Sequence, residues 1–173
     1  MPLIFDHEHY EAVIENGVLT AGRFVWIATA NLKDLHVVRG RRARPLLAHF
    51  SSLAEKGVCI RILHASEPSS PFKRSFDKYP NLIQGAVEMQ PCLRLHCKIV
   101  VVDGRLAYTG SANLTGAGLG AKSDRKRNFE AGYLTQDSGE VRRIMDYFDA
   151  IWMGAWCEAC GYRQECEEPL RGA

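Results

Sequence analysis

Apolar and polar residues recur with two different periods along this chain, and the change of period predicts an α/β fold. Residues 23–29 and 58–63 are short apolar runs rich in β-branched side chains, which favours buried strands. Residues 45–56 lie between them, carry apolar positions at helical spacing and end at Gly57, a residue suited to the left-handed cap of a helix. The order strand, helix, strand predicts a layered α/β domain.

The second half of the chain adds further strands and closes with a helix. The dipeptide Asp103-Gly104 is typical of tight hairpin turns, so it should join two neighbouring strands. Residues 140–153 carry an apolar stripe at helical spacing, which predicts an amphipathic helix packed on the sheet. Short helices are predicted at 9–16 and 72–79, and strands at 86–89, 95–102, 106–109 and 131–135.

Composition and charge restrict the class of protein. The chain has 173 residues, of which 46% are hydrophobic and 24% charged, as expected for one globular domain. The N-terminus lacks the basic and apolar regions of a signal peptide, and no stretch is long enough to cross a bilayer, so we expect a cytoplasmic protein without a transmembrane segment. The net charge of +2 is too small to indicate nucleic-acid binding, but basic residues cluster at 39–44 and 122–127.

A histidine and a lysine, His96 and Lys98, interrupt an otherwise apolar predicted strand. Alternate side chains of a strand share a face, so both should project from one surface while Cys97 points to the other. The hairpin then returns Ser111 and Asn113 to the same end of the sheet. A neutral imidazole can attack phosphorus, and an ammonium and an amide can hold the non-bridging oxygens. These residues predict phosphoryl-transfer chemistry that needs no metal.

The later stretch Asn128-Phe-Glu130 should complete this site. An attacking imidazole needs an acceptor on its other ring nitrogen to fix the tautomer, and Glu130 is the candidate. Asn128 lies on the same face if this run is extended, where its amide would add a donor for phosphate.

The pattern His96-x-Lys98-x4-Asp103, followed by Gly110-Ser111-x-Asn113 and Asn128-x-Glu130, resembles the HKD motif of the phospholipase D superfamily. The order of predicted elements from residue 10 to residue 152 is similar as well. The resemblance implies a phospholipase D-like mixed β-sheet flanked by helices, and a phosphodiester hydrolase that uses no cofactor for catalysis.

The same resemblance implies individual roles. His96 would be the nucleophile that forms a phosphohistidine, and Asp103 would support the active-site hairpin or a dimer contact. The implied catalytic residues are His96, Lys98, Asp103 and Glu130, and the implied phosphate-binding residues are Lys98, Ser111, Asn113 and Asn128.

This chain contains one His-x-Lys pair, whereas members of the superfamily use two such histidines, one as nucleophile and one as the acid that protonates the leaving oxygen. The resemblance therefore implies the homodimeric branch, in which a twofold axis brings two copies of the motif together. His96 of one subunit would attack, and the second copy of His96 would protonate.

The motif does not select the substrate. Single-motif chains of this length resemble small bacterial endonucleases that cut phosphodiesters without a divalent cation, so we expect a nuclease. A phospholipase D or phosphatidyl transferase, acting on phospholipid, is the alternative within the superfamily. A non-catalytic nucleic-acid-binding module is the alternative from another class. The basic residues that would follow a nucleic-acid backbone are Lys122, Arg125, Lys126, Arg127, Arg41 and Arg42.

Cysteines concentrate after the closing helix, which divides the chain into a predicted catalytic domain, 1–156, and a Cys-rich tail, 157–173, packed on it. In a reducing cytosol such a cluster indicates a metal more often than disulfides. The spacing Cys157-x2-Cys160-x5-Cys166 is similar to part of the iron–sulfur staple of certain nucleases.

A closed zinc site or a fully ligated four-iron cluster needs a fourth thiolate. Cys92 is the expected fourth ligand, because it lies in a loop-like Gln-Pro-Cys sequence just before the motif. We therefore expect a structural iron–sulfur cluster or zinc ion on these cysteines. Reduced thiols without a metal and a redox-sensing role are the alternatives.

The remaining histidines have no spacing typical of a site. His7 and His9 are predicted to be surface residues, and His36, His49 and His64 to be ordinary surface or satisfied histidines.

Overall fold

The protein folds as a mixed β-sheet with helices on both of its faces. A computed structural model describes residues 3–39 and 42–170. Its strands are β1 (Leu3–Phe5), β2 (Phe24–Thr29), β3 (His36–Arg39), β4 (Arg42–Pro45), β5 (Cys59–His64), β6 (Val87–Pro91), β7 (Lys98–Val102), β8 (Leu106–Gly110) and β9 (Ala131–Thr135). Strands β3 and β4 form a separate antiparallel pair, and the other seven form one sheet in the order β1-β9-β8-β7-β2-β5-β6.

The described residues form three α-helices: α1 (Leu46–Ala54), α2 (Ser70–Phe76) and α3 (Ser138–Trp152). Shorter helical turns span Tyr10–Glu15, Val18–Thr20 and Leu82–Ala86. The chain leaves α1 through Gly57 at φ 84°, which confirms the predicted left-handed cap. Asp137 begins α3 by accepting a hydrogen bond from the backbone N–H of Glu140 at 2.9 Å. Across the described residues, no helix is both long and apolar enough to span a membrane.

Strands β2, β5 and β6 run parallel, and β7 is antiparallel to β2. Helix α1 makes the crossover from β2 to β5, as parallel neighbours require. Strands β8, β9 and β1 then continue the sheet with antiparallel pairing. The α/β architecture predicted from the sequence is confirmed.

Both faces of the sheet are buried. Val100 and Val102 of β7 pack with α1 and the first helical turn in one core, whereas Ile99 and Val101 pack with α3 in the other. By alternation Lys98 shares the face of Val100. Cys97 packs against the α3 core, away from the face of Lys98, as the sequence predicted.

Two predictions about local structure are corrected, and one pair of strands was missed. Strand β7 begins at Lys98 and not at residue 95, because residues 92–97 form a loop in which the N–H of Leu95 donates to the carbonyl of Cys92 at 2.9 Å. The β3–β4 pair was not predicted, since its short strands are rich in arginine. His9 is 0% exposed and therefore not a surface histidine.

Candidate active site

Four strand ends meet at the place where most of the motif residues lie. In the register of the sheet, Ala28 pairs with Ile99, so the carboxyl end of β2 adjoins the start of β7. Lys98 pairs with Gly110, the last residue of β8, and Gly110 pairs with Gly132 near the start of β9. Ligands commonly bind beyond the carboxyl ends of strands in α/β sheets, and β2 and β8 both have their carboxyl ends here.

Lys98 is buried, with 7% of its surface exposed, and its ammonium donates a hydrogen bond to the carbonyl oxygen of His96 at 2.7 Å. Two of the three ammonium donors are left for other acceptors. The His96 residue is exposed and borders a cavity of 310 Å³ together with Tyr147 and Trp156. The loop thus exposes His96 while the buried ammonium of Lys98 holds its backbone carbonyl.

Glu130 is held from several sides. Its carboxylate accepts hydrogen bonds from the Ser111 hydroxyl and, at 2.9 Å, from the Asn128 amide. Its backbone N–H donates to the Asp6 carboxylate at 2.9 Å. Within the described residues no hydrogen bond joins Glu130 to the His96 ring, so an orienting role for Glu130 stays a prediction.

The side-chain oxygen of Asn113 already accepts two hydrogen bonds. That oxygen accepts from the backbone N–H of Asn31 at 3.1 Å and from the Thr29 hydroxyl at 3.3 Å. The amide N–H₂ group of Asn113 is therefore the end left to donate to a ligand. It borders a cavity of 230 Å³ that is also lined by Asn128, Lys33, Lys122 and Asp34, which gives the wall both amide and ammonium donors for an anion.

Glycine is required where β8 meets β9. A Cβ atom on Gly110 would lie 2.4 Å from the Tyr108 hydroxyl oxygen, and one on Gly132 would lie 2.2 Å from the Tyr108 ring. Tyr108 is 0% exposed, and burial raises the pKa of its hydroxyl to about 12. The glycine of the Gly-Ser-x-Asn sequence thus lets the backbone that carries Ser111 pass close to a buried ring.

Asp103 lies at the opposite end of β7 from Lys98, roughly 16 Å away for five residues of extended chain. Its carboxylate accepts from the backbone N–H groups of Gly22, Arg23 and Phe24 at 2.7 to 2.9 Å. Partial burial raises the pKa of this carboxyl, but those donors and Arg105 outweigh burial and lower the pKa overall.

This position fits the support of the hairpin that the resemblance implies for Asp103, and its inclusion among the catalytic residues stays a prediction. With φ 56° at Asp103 and φ 68° at Gly104, the two residues make the tight turn that the sequence predicted. Asp103 therefore ties the β7–β8 turn to the start of β2 and does not approach the other motif residues.

The basic residues that were expected to follow a nucleic-acid backbone are not equally exposed. Lys122, Arg125 and Lys126 are exposed, whereas Arg127 is less exposed and forms an ion pair with Asp124. Arg42 is exposed on β4, and Arg41 lies outside the described residues. Sequence reasoning missed Phe129, which is 98% exposed between this basic segment and Glu130.

Sequence reasoning also missed His9. Its Nδ1 atom lies 3.0 Å from the carbonyl oxygen of Asp6, and its ring packs edge-on against Tyr108 with ring centroids 5.4 Å apart. Its Nε2 atom is buried and has no hydrogen-bond partner among the described residues. Burial lowers the pKa of His9, although Asp6, Glu8 and Glu130 act in the opposite direction. No sequence signal marks this residue, because its neighbours come from β8 and β9.

Four of the six cysteines come together at the tail. Cys92, Cys157, Cys160 and Cys166 line one small cavity, whereas Cys59 is exposed on β5 and Cys97 is partly buried beside the α3 core. Among residues 3–39 and 42–170, no three His, Cys, Asp or Glu side chains are arranged to hold a single metal ion.

Residues 17–152 match the family described as cardiolipin synthase, PLD-like domain. The chain belongs to this family and thus to the phospholipase D superfamily.

A curated relative and two solved structures illustrate the range of this superfamily. A cardiolipin synthase of Oceanobacillus iheyensis is 34% identical over 98 residues, which cover 54% of this chain and 19% of the relative, so the chain spans about a fifth of that protein. NucT from Helicobacter pylori has a TM-score of 0.62 at 18% identity, covering 87% of this chain and 93% of the other. Nuc from Salmonella typhimurium, a phospholipase D family member, has a TM-score of 0.60 at 13% identity, covering 87% of this chain and 91% of the other. At these identities the two structures show the fold alone.

Proposed function

We propose that this protein is a phosphodiesterase that cleaves nucleic acid without a metal ion, through a phosphohistidine on His96. The observation that carries the proposal is that the chain positions of His96, Lys98, Ser111, Asn113 and Glu130 all lie at one end of the sheet. An imidazole nucleophile beside ammonium and amide donors suits attack at phosphorus.

The reaction has two steps. A ring nitrogen of neutral His96 bonds to phosphorus as the bond from phosphorus to the leaving oxygen breaks, and a second imidazole gives that oxygen a proton. Water then attacks the phosphohistidine, the same second imidazole removes a proton from the water, and His96 departs. Lys98 and the Asn113 amide would hold the non-bridging oxygens during both steps.

The second imidazole is proposed to come from another copy of the chain. His9 is near Glu130 but 0% exposed, so it cannot contact a substrate. His64 ends β5 beside Thr29, but it is 8% exposed and its Nδ1 atom lies 3.0 Å from the Ser66 carbonyl oxygen. The exposed His96 of a second subunit, related by a twofold axis, is the better supported donor.

Three observations favour nucleic acid as the substrate. Lys122 lines the cavity beside Asn113, and Arg125 and Lys126 extend the same exposed basic segment. The exposed Phe129 ring follows directly, and aromatic rings beside cations are typical of surfaces that bind single strands. The likeness in fold to NucT and Nuc is consistent with this choice.

Phosphatidyl transfer is a second candidate, because the family match and the curated relatives are cardiolipin synthases. Here the phosphohistidine would pass its phosphatidyl group to a lipid hydroxyl instead of water. The same residues would act on either phosphodiester, so an assay has to separate the two substrates.

Cleavage of labelled single- and double-stranded DNA and RNA in excess EDTA tests the proposal. Wild type should cut, His96→Asn should not, and His64→Asn should cut at close to the wild-type rate. A covalent adduct of labelled substrate and protein, stable to base and labile to acid, should form only with His96 present. Transfer on phosphatidylglycerol vesicles with no cleavage of any nucleic acid would overturn the nuclease assignment in favour of the lipid enzyme.

Light scattering tests the shared site, since a dimer has twice the 19.4 kDa mass of the chain. Mixing an excess of His96→Asn chains into wild type should lower the activity per wild-type chain. A monomer with full activity would contradict the shared mechanism.

A further inference from the structure

The four cysteines of the tail region are distant in sequence but share one enclosure. Cys157, Cys160 and Cys166 belong to the turns after α3, and Cys92 follows β6. All four line a cavity of 40 Å³. Three of them, Cys92, Cys157 and Cys160, also line the adjoining cavity of 310 Å³ that His96 borders. These cysteines therefore lie around two adjoining cavities.

Hydrogen bonds to the backbone hold the segments that carry these four cysteines. The guanidinium of Arg163 donates to the carbonyl oxygens of Cys157 and Leu170, both at 2.9 Å, which closes the tail into a loop. The N–H of Cys92 donates to the carbonyl of His64 at 2.8 Å, which fixes the fourth cysteine at the end of β5. Hydrogen bonds to the backbone thus hold both sides of the enclosure.

The arrangement of the thiols selects the kind of group that fits. A zinc ion requires all four sulfur atoms about 2.3 Å from one point, and no such group of ligands exists among the described residues. In a four-iron cluster each cysteine binds a different iron at a corner of the cube, so the sulfur atoms line a space without meeting at a point. The cysteines here line a space.

The charges around the cavities are compatible with that cluster. A four-iron, four-sulfide cluster with four thiolates carries net negative charge, and Arg94 and Arg163 both line the smaller cavity. Glu168 also lines it and acts against these cations. The two arginines leave the wall with an excess of positive side chains for an anionic group.

We propose that Cys92, Cys157, Cys160 and Cys166 ligate a structural four-iron, four-sulfur cluster. Each cysteine thiol replaces one exogenous thiolate on a preassembled cluster and gives its proton to that departing thiolate, so the oxidation state of the cluster does not change. The cluster would fix the tail to the 92–97 loop that carries His96. This inference does not depend on the proposed nuclease activity, because the cluster is assigned from the cysteines alone.

The test is the metal content of the full chain purified without oxygen. Wild type should contain about four irons and four acid-labile sulfides per chain, with visible absorption typical of sulfide-to-iron charge transfer. Cys157→Ser and Cys166→Ser should lose most of the iron and sulfide. Cys59→Ser and Cys97→Ser are matched controls, because these cysteines do not line the smaller cavity.

Three results would overturn the cluster. One is a stoichiometric zinc ion with no sulfide in wild type. Another is wild type that stays free of iron after anaerobic reconstitution with ferrous iron, sulfide and thiol. The third is a loss of iron in Cys59→Ser equal to that in Cys157→Ser. The wild-type measurement decides the matter even if a tail variant fails to fold.

Discussion

The ammonium of Lys98 lies 2.7 Å from the carbonyl oxygen of His96, so the lysine fixes the backbone of the residue that we assign as nucleophile. The lysine is 7% exposed and has donors left over after this bond. One buried cation therefore both shapes the histidine loop and supplies positive charge at the proposed phosphate position.

Replacing Lys98 with methionine keeps the length and the burial of the side chain but removes the charge. We expect phosphodiester cleavage by Lys98→Met to fall by about 100-fold or more, because a donor to the transition state is lost. The fall should lie in kcat more than in KM, measured alongside circular dichroism to establish folding. Cleavage at the wild-type rate by folded Lys98→Met would exclude a role in the transition state.

We expect replacement of Asp103 to have the opposite effect: the protein should lose stability but keep its catalytic activity. Asp103→Ala removes the acceptor for three backbone N–H groups and places alanine at a positive φ, so urea unfolding should show a loss of about 2 to 3 kcal/mol. Asp103→Asn, which tolerates that φ, should lose less. Cleavage by the folded fraction should stay near wild type, and a loss as deep as that of His96→Asn would place Asp103 in the catalytic set.

The exposed ring of Phe129 predicts a preference for unpaired bases. Stacking of a base on an aromatic side chain is worth about 1 to 3 kcal/mol, so Phe129→Ala should weaken single-stranded DNA binding by roughly 5- to 100-fold. Binding is best measured by fluorescence anisotropy in the His96→Asn background, which prevents cleavage. Ile83→Ala is a suitable control because Ile83 is 56% exposed in the turn before β6. Equal affinities of the two variants would remove Phe129 from the substrate surface.

Buried histidines predict that the protein loses stability in mild acid. Burial lowers the pKa of His9 and of His64 in the folded state below the ordinary value near 6.5. The unfolded chain therefore binds more protons, so the contribution is present above the unfolded pKa and is lost as pH falls through the folded pKa.

Denaturant titrations between roughly pH 7.5 and 5.5 test this dependence. The free energy of unfolding of wild type should fall across this range, and that of His9→Gln should fall less. A wild-type slope that His9→Gln does not alter would show that His9 does not carry the effect.

The sequence by itself determined the elements and the residue types of the site. Periodicity located β2, α1, β5 and α3 to within a few residues, because each buries an apolar run or stripe. The Asp103-Gly104 pair determined its turn, since few residues adopt positive φ there. The fixed spacing around His96 identified the superfamily.

Tertiary structure decided which of these residues meet. Asp103 and Lys98 are only five residues apart in sequence. The pairing of β7 with β2 and β8 nevertheless keeps this stretch extended and places the two residues at opposite ends of the strand. Pairing of β1 with β9 brings the segment with Asp6 and His9 to Glu130, across more than 120 residues of chain. The fold also encloses Cys92 with the tail cysteines. The local sequence pattern indicates only which face of its own strand or helix a residue occupies. Contacts between distant segments depend on strand order and register.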